Sequence, residues 1–328
     1  MVAILILNWN GWKDTFECLK SLQNIHYDKF FVVVGDNGST NDSIIHIKEH
    51  CKAKGFHVLS DDIINQNQNI INNKDIVLLD LKINNGFAKG NNLMIRYCQK
   101  FIPNYYLLLN NDTEVAPDFL DKLVAFKKES REYDILTPLI PYYYNKTKIW
   151  NAGGKLFWGF RKYYYANRPI SEIKEKQFIE CSFITGCAMM ITPAILNENN
   201  EVFSERFFFG EEDFEFSMRQ NRKGKRMACV CGSIVYHKVS ASSVGQSNIN
   251  KDFIYYLNRF VNVKLTFSKF SYFIWKLIYV PYIWFLLSKT YSDSQRNNFI
   301  SLLLKESAHL DSIDKSYFER TMQSTDLF

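Results

Sequence analysis

The stretch Tyr105 to Val115, Y-Y-L-L-L-N-N-D-T-E-V, constrains the fold more than any other part of the chain. Its apolar first half is long enough for a short buried strand; Asn110, Asn111, Asp112, Thr113 and Glu114 follow at once, and Pro117 is placed to open a helix. Polar groups therefore gather at a strand's carboxyl end. In open α/β sheets that is where ligands sit, in the crevice formed by the loops after the strands. An acidic group there suits a hard cation, and Mg²⁺ is usually held by one or two carboxylates together with substrate phosphate oxygens. The same residues also fit a strand followed by an Asx turn and a helix N-cap, with no ligand involved.

The flanking sequence repeats the pattern. Val2 to Leu7 is an apolar run without alternation, as expected of a parallel strand covered on both faces. Asn8-Trp9-Asn10-Gly11 ends it, and Phe16, Leu19, Leu22 and Ile25 recur at helical spacing. Phe31 to Val34 is a second strand, ending in Gly35-Asp36-Asn37-Gly38-Ser39, and a second helix begins at Ile44. Two such β-loop-α units predict a mostly parallel sheet flanked by helices. The Asn-rich segment Ile63 to Lys74 reads as a loop, Ile76 to Leu79 as a strand, and Lys82 to Asn92 as a connection into a helix through Leu93, Ile95 and Tyr97. Beyond Pro138, Tyr142 to Tyr144, Trp150, Phe157, Trp158 and Tyr163 to Tyr165 crowd around Gly153-Gly154 and Gly159. That density fits either a hairpin-rich cleft wall or the aromatic core of an α+β half. Phe183 to Ile191 reads as a buried strand stopped by Pro193, and Met227 to Tyr236 as another, ending in His237-Lys238 with Ser240, Ser242 and Ser243 after it. Between them Phe207-Phe208-Phe209-Gly210 delivers Glu211-Glu212-Asp213 to the first turn of a helix, where the helix dipole favours carboxylates.

Composition narrows the classes. With 328 residues and 47% apolar content the chain can bury a sizeable core. A net charge of +6 without concentrated Lys/Arg blocks argues against a nucleic-acid-binding arm and suits a phosphate-bearing substrate or an anionic membrane surface. The seven cysteines are odd in number and contain no C-x-x-C pair, so neither a disulfide framework nor a zinc site is expected, and a reducing cytosol is. The apolar run at Met1 to Leu7 lacks a basic leader and a cleavage site, so it reads as a first strand rather than a signal peptide. Tyr272 to Leu287 is strongly apolar, but Lys276 and Pro281 interrupt it, which argues against a spanning helix. One reading is an interfacial helix with aromatic side chains at headgroup level and Lys264, Lys269, Lys276 and Lys289 around it; the other is a packed C-terminal helix or a dimer contact.

L-N-W-N-G at Leu7 to Gly11, G-D-N-G-S-T-N-D-S at Gly35 to Ser43, N-N-G-F-A-K-G-N-N at Asn84 to Asn92, L-L-N-N-D-T-E-V at Leu108 to Val115, T-G-C-A-M-M-I at Thr185 to Ile191 and F-F-F-G-E-E-D-F-E-F-S-M-R at Phe207 to Arg219 occur in this order. As an ordered set covering about residues 2–243 they resemble the family 2 glycosyltransferases of the GT-A fold, and most closely the bacterial rhamnosyltransferase-type members that extend surface polysaccharides. The resemblance implies a Rossmann-like α/β domain over residues 1–245, with a nucleotide-sugar-binding half (1–137) and an acceptor half (138–245), and a helical extension over 246–328. It implies donor contacts at Asn8, Trp9, Asn10, Asp36, Asn84, Gly86, Lys89, Asn92, Asn111 and Gly186, with Asp36 accepting the N3 hydrogen of uracil or thymine. Asp112 and His237 would hold Mg²⁺ or Mn²⁺, with Asn110 standing where the common two-aspartate pattern has its first aspartate. Asp213 would be the general base, paired with Glu212, with Arg219 orienting the pair and Glu211 and Glu215 solvated or ion-paired. The implied activity is inverting transfer from a UDP- or dTDP-sugar to a glycan or lipid-linked acceptor, at the cytoplasmic face of a membrane.

Two other classes compete. A sugar nucleotidyltransferase would want a glycine-rich, basic phosphate loop after the first strand, and L-N-W-N-G has neither trait. A non-catalytic nucleotide-sugar or glycan-binding protein is compatible with Asn110. Asn84 to Asn92 lacks the G-x-G-x-x-G spacing of a dinucleotide site.

Overall fold

The computed structural model describes residues 1–60, 64, 70–239, 249–325 and 327–328. The chain opens with β1 (Val2–Asn8), α1 (Trp12–Gln23), β2 (Phe30–Asp36), α2 (Ser43–Ala53), β3 (Val58–Ser60), β4 (Ile76–Asp80), α3 (Gly86–Cys98) and β5 (Tyr105–Leu109). These are the expected β-loop-α units. Strands β1, β2 and β4 each carry at least three consecutive buried apolar residues, because helices cover both faces of the sheet.

The second half runs β6 (Thr113–Val115), α4 (Phe119–Glu129), β7 (Tyr133–Pro141), β8 (Ile149–Asn151), β9 (Gly154–Phe157), β10 (Phe160–Tyr163), β11 (Phe178–Cys181), β12 (Ala188–Ile191), α5 (Glu212–Arg222) and β13 (Arg226–His237). Helices α6 (Ile249–Thr266), α7 (Lys269–Leu287), α8 (Asp293–His309) and α9 (Lys315–Gln323) follow. The main sheet has the order β11-β13-β7-β12-β5-β1-β2-β4-β3. Pairing is parallel from β5 through β3, and β12 inserts antiparallel between β5 and β7. Strand order reverses around β1, with β2 on one side and β5 on the other, so the carboxyl ends of β1, β2 and β5 open onto one crevice.

Three expectations shift. Only Ala188–Ile191 of the stretch beginning at Phe183 is strand, because the preceding backbone is diverted: Phe183 bonds to Gly154 in both directions and Ile184 N–H donates to Ser217 Oγ. Helix α3 starts at Gly86, earlier than the expected Leu93, with the Asn84 side chain accepting from Gly86 N–H. The residues after Asp112 form strand β6, paired with β13, and α4 starts only at Phe119. The aromatic region does contain a hairpin, β9–β10. Of the Asn-rich loop, residues 63 and 65–69 lie outside the described residues, as do Ser240, Ser242, Ser243 and the expected 245/246 boundary.

Two apolar clusters fill the faces of the sheet. A third joins Phe183, Phe207 and Phe214 to α6, α7 and α8 through Phe260, Trp275 and Phe299. The C-terminal helices therefore pack directly against the base of α5.

Candidate active site

At the end of β2, Asp36 is 5% exposed. Its carboxylate accepts from Asn8 Nδ2 at 2.7 Å, Ser39 Oγ at 2.7 Å and Ser39 N–H at 3.0 Å. These donors fix its orientation and leave lone pairs for a further donor. The network continues: Asn8 Oδ1 accepts from Thr15 Oγ1 at 2.8 Å, and Asn111 Nδ2 donates to Thr15 Oγ1 at 3.0 Å. A single hydrogen-bonded chain thus links the ends of β2, β1 and β5. Trp9 stands exposed beside it, and Asn10, at φ 54°, spends its side-chain oxygen on Thr40 N–H.

Asp112 lies just past β5, after Asn110 and Asn111, and strand pairing brings His237 to it. Antiparallel register sets Thr113 opposite His237, and Lys238 N–H donates to Asp112 C=O at 2.9 Å. His237 Nε2 lies 3.2 Å from Asp112 Oδ1, both side chains nearly buried. Burial works against a charged His237, but neighbouring Cys187 and Asp112 outweigh it and push its pKa up to about 10. Burial also pushes the Cys187 thiol up, keeping it neutral, so Asp112 is the effective counter-charge. Asn110 precedes them, its N–H donating to Cys187 C=O at 2.8 Å. Once an incoming cation displaces the proton of His237, one carboxylate and one imidazole nitrogen, with an amide at Asn110, would fit Mg²⁺ or Mn²⁺. Among the described residues no group of three or more His, Cys, Asp or Glu side chains is arranged to hold a metal ion by itself, so such an ion would draw its other ligands from phosphate and water.

The side of the crevice expected to meet an acceptor is carried by α5. Gly186 N–H donates to Asp213 Oδ2 at 3.4 Å, and the next residue, Cys187, receives the Asn110 N–H. Asp112 and Asp213 therefore lie on the same side of the crevice, joined by the Gly186-Cys187 backbone, and both press the Cys187 thiol upward by their charge. Burial raises the Asp213 carboxyl above its ordinary range; Arg161 pulls it down and Glu211 adds to the rise. Glu212 turns back on its own loop, accepting from Gly210 N–H at 2.6 Å. Burial, helped by the Asp213 charge and opposed by these backbone donors, pushes it up to about 8, so it is protonated at neutral pH.

Two basic residues that carry no motif complete the site. Arg161, on β10, lies 3.3 Å from Glu211 Oε1 and 3.6 Å from Asp213 Oδ1. Arg259, on α6, is paired with Glu211, donates to Gly159 C=O at 3.2 Å and covers the Phe214 ring. Although burial opposes it, these two guanidinium groups hold Glu211 below the usual carboxylate range. Glu211 adopts a left-handed backbone, φ 67°, directly before α5. Asn258 secures the approach, donating to Phe209 C=O at 2.9 Å and Gly210 C=O at 2.8 Å. Of the two expected alternatives Glu211 is thus ion-paired rather than solvated, and so is Glu215, bound by Arg219 at 2.9 Å one turn along α5. Arg219 does not orient the Glu212-Asp213 pair; of the two, Arg161 contacts Asp213.

The remaining expected donor contacts divide. Asn84 accepts from Asn37 Nδ2 at 3.1 Å, and Gly86, at φ 75°, lies so close to Phe208 that an added Cβ would stand 2.0 Å from the Phe208 carbonyl oxygen. Glycine is required there, and it brings the donor-side segment against the acceptor-side loop. Lys89 is exposed on the first turns of α3. Asn92 points away: fully buried, it accepts from Val202 and Phe203 N–H and donates to Phe203 C=O, so it staples loop 202–205 to α3 instead of facing the crevice.

Comparison with solved structures gives the same fold. S. aureus TarS (residues 1–349) aligns with a TM-score of 0.51 at 14% identity, over 93% of this chain and 71% of that one. GalNAc-T7 with UDP, GalNAc and Mn²⁺ aligns at 0.58 and 15%, over 98% of this chain and 54% of that one. Mannosyltransferase PcManGT from Pyrobaculum calidifontis, in complex with GDP-Man and Mn²⁺, aligns at 0.55 and 13%, over 98% and 82%. Comparison with curated proteins gives no match. The family model described as glycosyl transferase family 2 matches residues 3–199, more than half of the 328 residues and the whole donor side of the crevice. On that match, with the sheet order and fold described above, the chain belongs to glycosyl transferase family 2.

Proposed function

We propose that this glycosyltransferase transfers a sugar, with inversion at the anomeric carbon, from a UDP- or dTDP-sugar to a hydroxyl of a glycan or lipid-linked glycan in surface polysaccharide synthesis. The observation that supports the reading is that Asp213 and Asn110, two residues before Asp112, hydrogen-bond adjacent residues of one short segment, Gly186-Cys187, which would put a base and a diphosphate site within reach of one sugar. Asp36, held by Asn8 and Ser39, is aimed to accept the N3–H of uracil or thymine, a donor that cytosine lacks at that position. Trp9 offers an exposed ring as a wall for the base. Asp112 and His237 would hold a divalent ion; when bound it supplies Lewis acidity toward the leaving nucleoside diphosphate. PcManGT and GalNAc-T7, whose structures contain Mn²⁺, support that pairing.

Asp213 then removes the proton of the acceptor hydroxyl as that oxygen bonds to the anomeric carbon and the bond to the diphosphate breaks. A carboxyl raised by burial is a stronger base than an exposed one, and Arg161 opposes that rise. Seven free, buried cysteines suit a reducing compartment, which agrees with a cytoplasmic supply of nucleotide sugar.

The test is to incubate the protein with Mn²⁺ and UDP- or dTDP-sugars, following nucleoside diphosphate release with and without glycan acceptors and the anomeric configuration of any product by NMR. Asp213→Asn is expected to lower turnover by about 10²–10⁴-fold while donor binding, read by thermal shift, is retained. Equal turnover in that variant removes Asp213 from the mechanism, and a retained anomeric configuration removes the single-displacement reading.

A further inference from the structure

Two long segments of this chain contain no acidic residue: 135–171, with Lys146, Lys148, Lys155, Arg161, Lys162 and Arg168, and 253–292, with Arg259, Lys264, Lys269, Lys276 and Lys289. They are far apart in sequence and packed together in space. Phe160, on the β9–β10 hairpin, meets the Tyr279 and Tyr282 rings of α7 at centroid distances of 5.0 and 5.5 Å. Trp158 stacks on Phe267 at the α6–α7 turn. At the hairpin tip Gly159, φ 78°, lies against the Trp275 indole, where an added Cβ would stand 2.5 Å from Nε1.

The joint surface is apolar outward. Of the 19 residues of α7 only Trp275, Tyr279, Ile283 and Leu287 are buried, one stripe at i, i+4 spacing that fastens the helix to the body. Around the rest of the circumference Phe270 (75% exposed), Phe273, Leu277 (58%), Trp284 and Phe285 (61%) face out, and Phe157 (69%) extends the patch from the hairpin. Lys276 and Lys289 lie over the rings of Tyr272 and Phe285, so the cations border the apolar face. The helix is long and apolar enough to cross a membrane, but its buried stripe holds it lengthwise on the protein.

We infer that the face formed by α7 and the β9–β10 hairpin docks on an anionic lipid bilayer, with the aromatic and aliphatic side chains entering the headgroup region and the lysines meeting the phosphates. A patch of this kind, bordered by one sign of charge over two acid-free segments, is complementary to anionic lipid; a second copy of the same face would bring lysine against lysine. The hairpin also carries Arg161, which contacts Asp213. Docking therefore sets the acceptor side of the crevice at the lipid surface and makes a lipid-linked glycan the acceptor class. This last step rests on the assignment of Asp213 as base, whereas the docking itself does not.

Flotation of the full chain with phosphatidylcholine vesicles, with and without phosphatidylglycerol, tests it without reference to catalysis. The chain is expected to float with the anionic vesicles, more weakly with neutral ones, and less as salt is raised. Phe273→Ser/Leu277→Ser/Phe285→Ser and Lys269→Glu/Lys289→Glu each alter exposed positions; each is expected to reduce flotation at least tenfold with circular dichroism and melting temperature retained. Sedimentation of the full chain with both vesicle types overturns the inference. So does elution of the free chain as a dimer that the serine variant converts to monomer without changing flotation. Loss of transferase activity in assays with soluble glycans, with flotation intact, would count against the catalytic reading alone.

Discussion

At the scale of single residues, three consecutive carboxyl groups at the start of α5 sit in three different electrostatic environments. Glu211 is held ionised by Arg259 and Arg161, Asp213 is raised by burial and restrained by Arg161, and Glu212, with no guanidinium beside it, is pushed up to about 8. Environment alone separates them, since the side chains are nearly the same. The raised Glu212 has a consequence for stability. In the unfolded chain a glutamate loses its proton near 4.5, so between that pH and about 8 the folded state binds a proton that the unfolded state does not. Stability linked to this group is full below the lower value and declines as pH rises through the upper one. Glu212→Gln retains an acceptor for Gly210 N–H but cannot ionise. It is expected to match the parent's melting temperature near pH 5 and to exceed it near pH 8, by about 2–4 °C for each kcal/mol recovered. Equal melting temperatures at both values would mean that Glu212 is already ionised in the fold.

At the scale of elements, α6 holds the amino end of α5 in place. Its Asn258 binds the carbonyls of Phe209 and Gly210, and its Arg259 pairs with Glu211, whose left-handed backbone has an intrinsic cost of about 1–2 kcal/mol. Arg259→Met would leave Glu211 buried with only Arg161, so a loss of about 3 kcal/mol is expected, at the lower end for a broken buried pair. Adding Glu211→Gln removes the stranded charge and is expected to recover most of that loss, read by urea unfolding. A double variant no more stable than the single one would show that the pair contributes through packing and not through charge. This arrangement was not legible in the sequence. Asp36, Asp112 and His237 stand out because each is polar at the end of an apolar run, a local contrast. Arg161 and Arg259 sit among aromatics, and their partners are about 50 residues away; only the lack of any acid in 135–171 and 253–292 hinted that each must find its counter-charge elsewhere. Asn92 misled for the converse reason, since an amide inside a glycine-rich motif reads the same whether it faces ligand or a neighbouring loop.

At the scale of the whole molecule, the side of the crevice that carries Asp36 is held by its own hydrogen bonds, and the side that carries Asp213 depends on the helical extension. The parallel half of the sheet was readable because β1, β2, β4 and β5 are short uninterrupted apolar runs with polar ends; the insertion of β12 between β5 and β7 was not, because it requires a strand some 80 residues distant to choose its neighbours. Asn8, Thr15, Ser39 and Asn111 already hold Asp36 in position, so nucleotide binding needs little reorganisation on that side. A ligand that binds only the folded chain stabilises it by about 2.7 kcal/mol at a hundred times its dissociation constant. UDP or dTDP with Mn²⁺ is therefore expected to raise the melting temperature by several degrees, and CDP, which has no N3–H to offer Asp36, by much less. Asp36→Ala should erase the difference between UDP and CDP while leaving the contribution of the diphosphate and Mn²⁺ at Asp112. Equal shifts for all three nucleotides in the parent protein would mean that Asp36 does not read the base, and donor choice would then have to lie with the sugar.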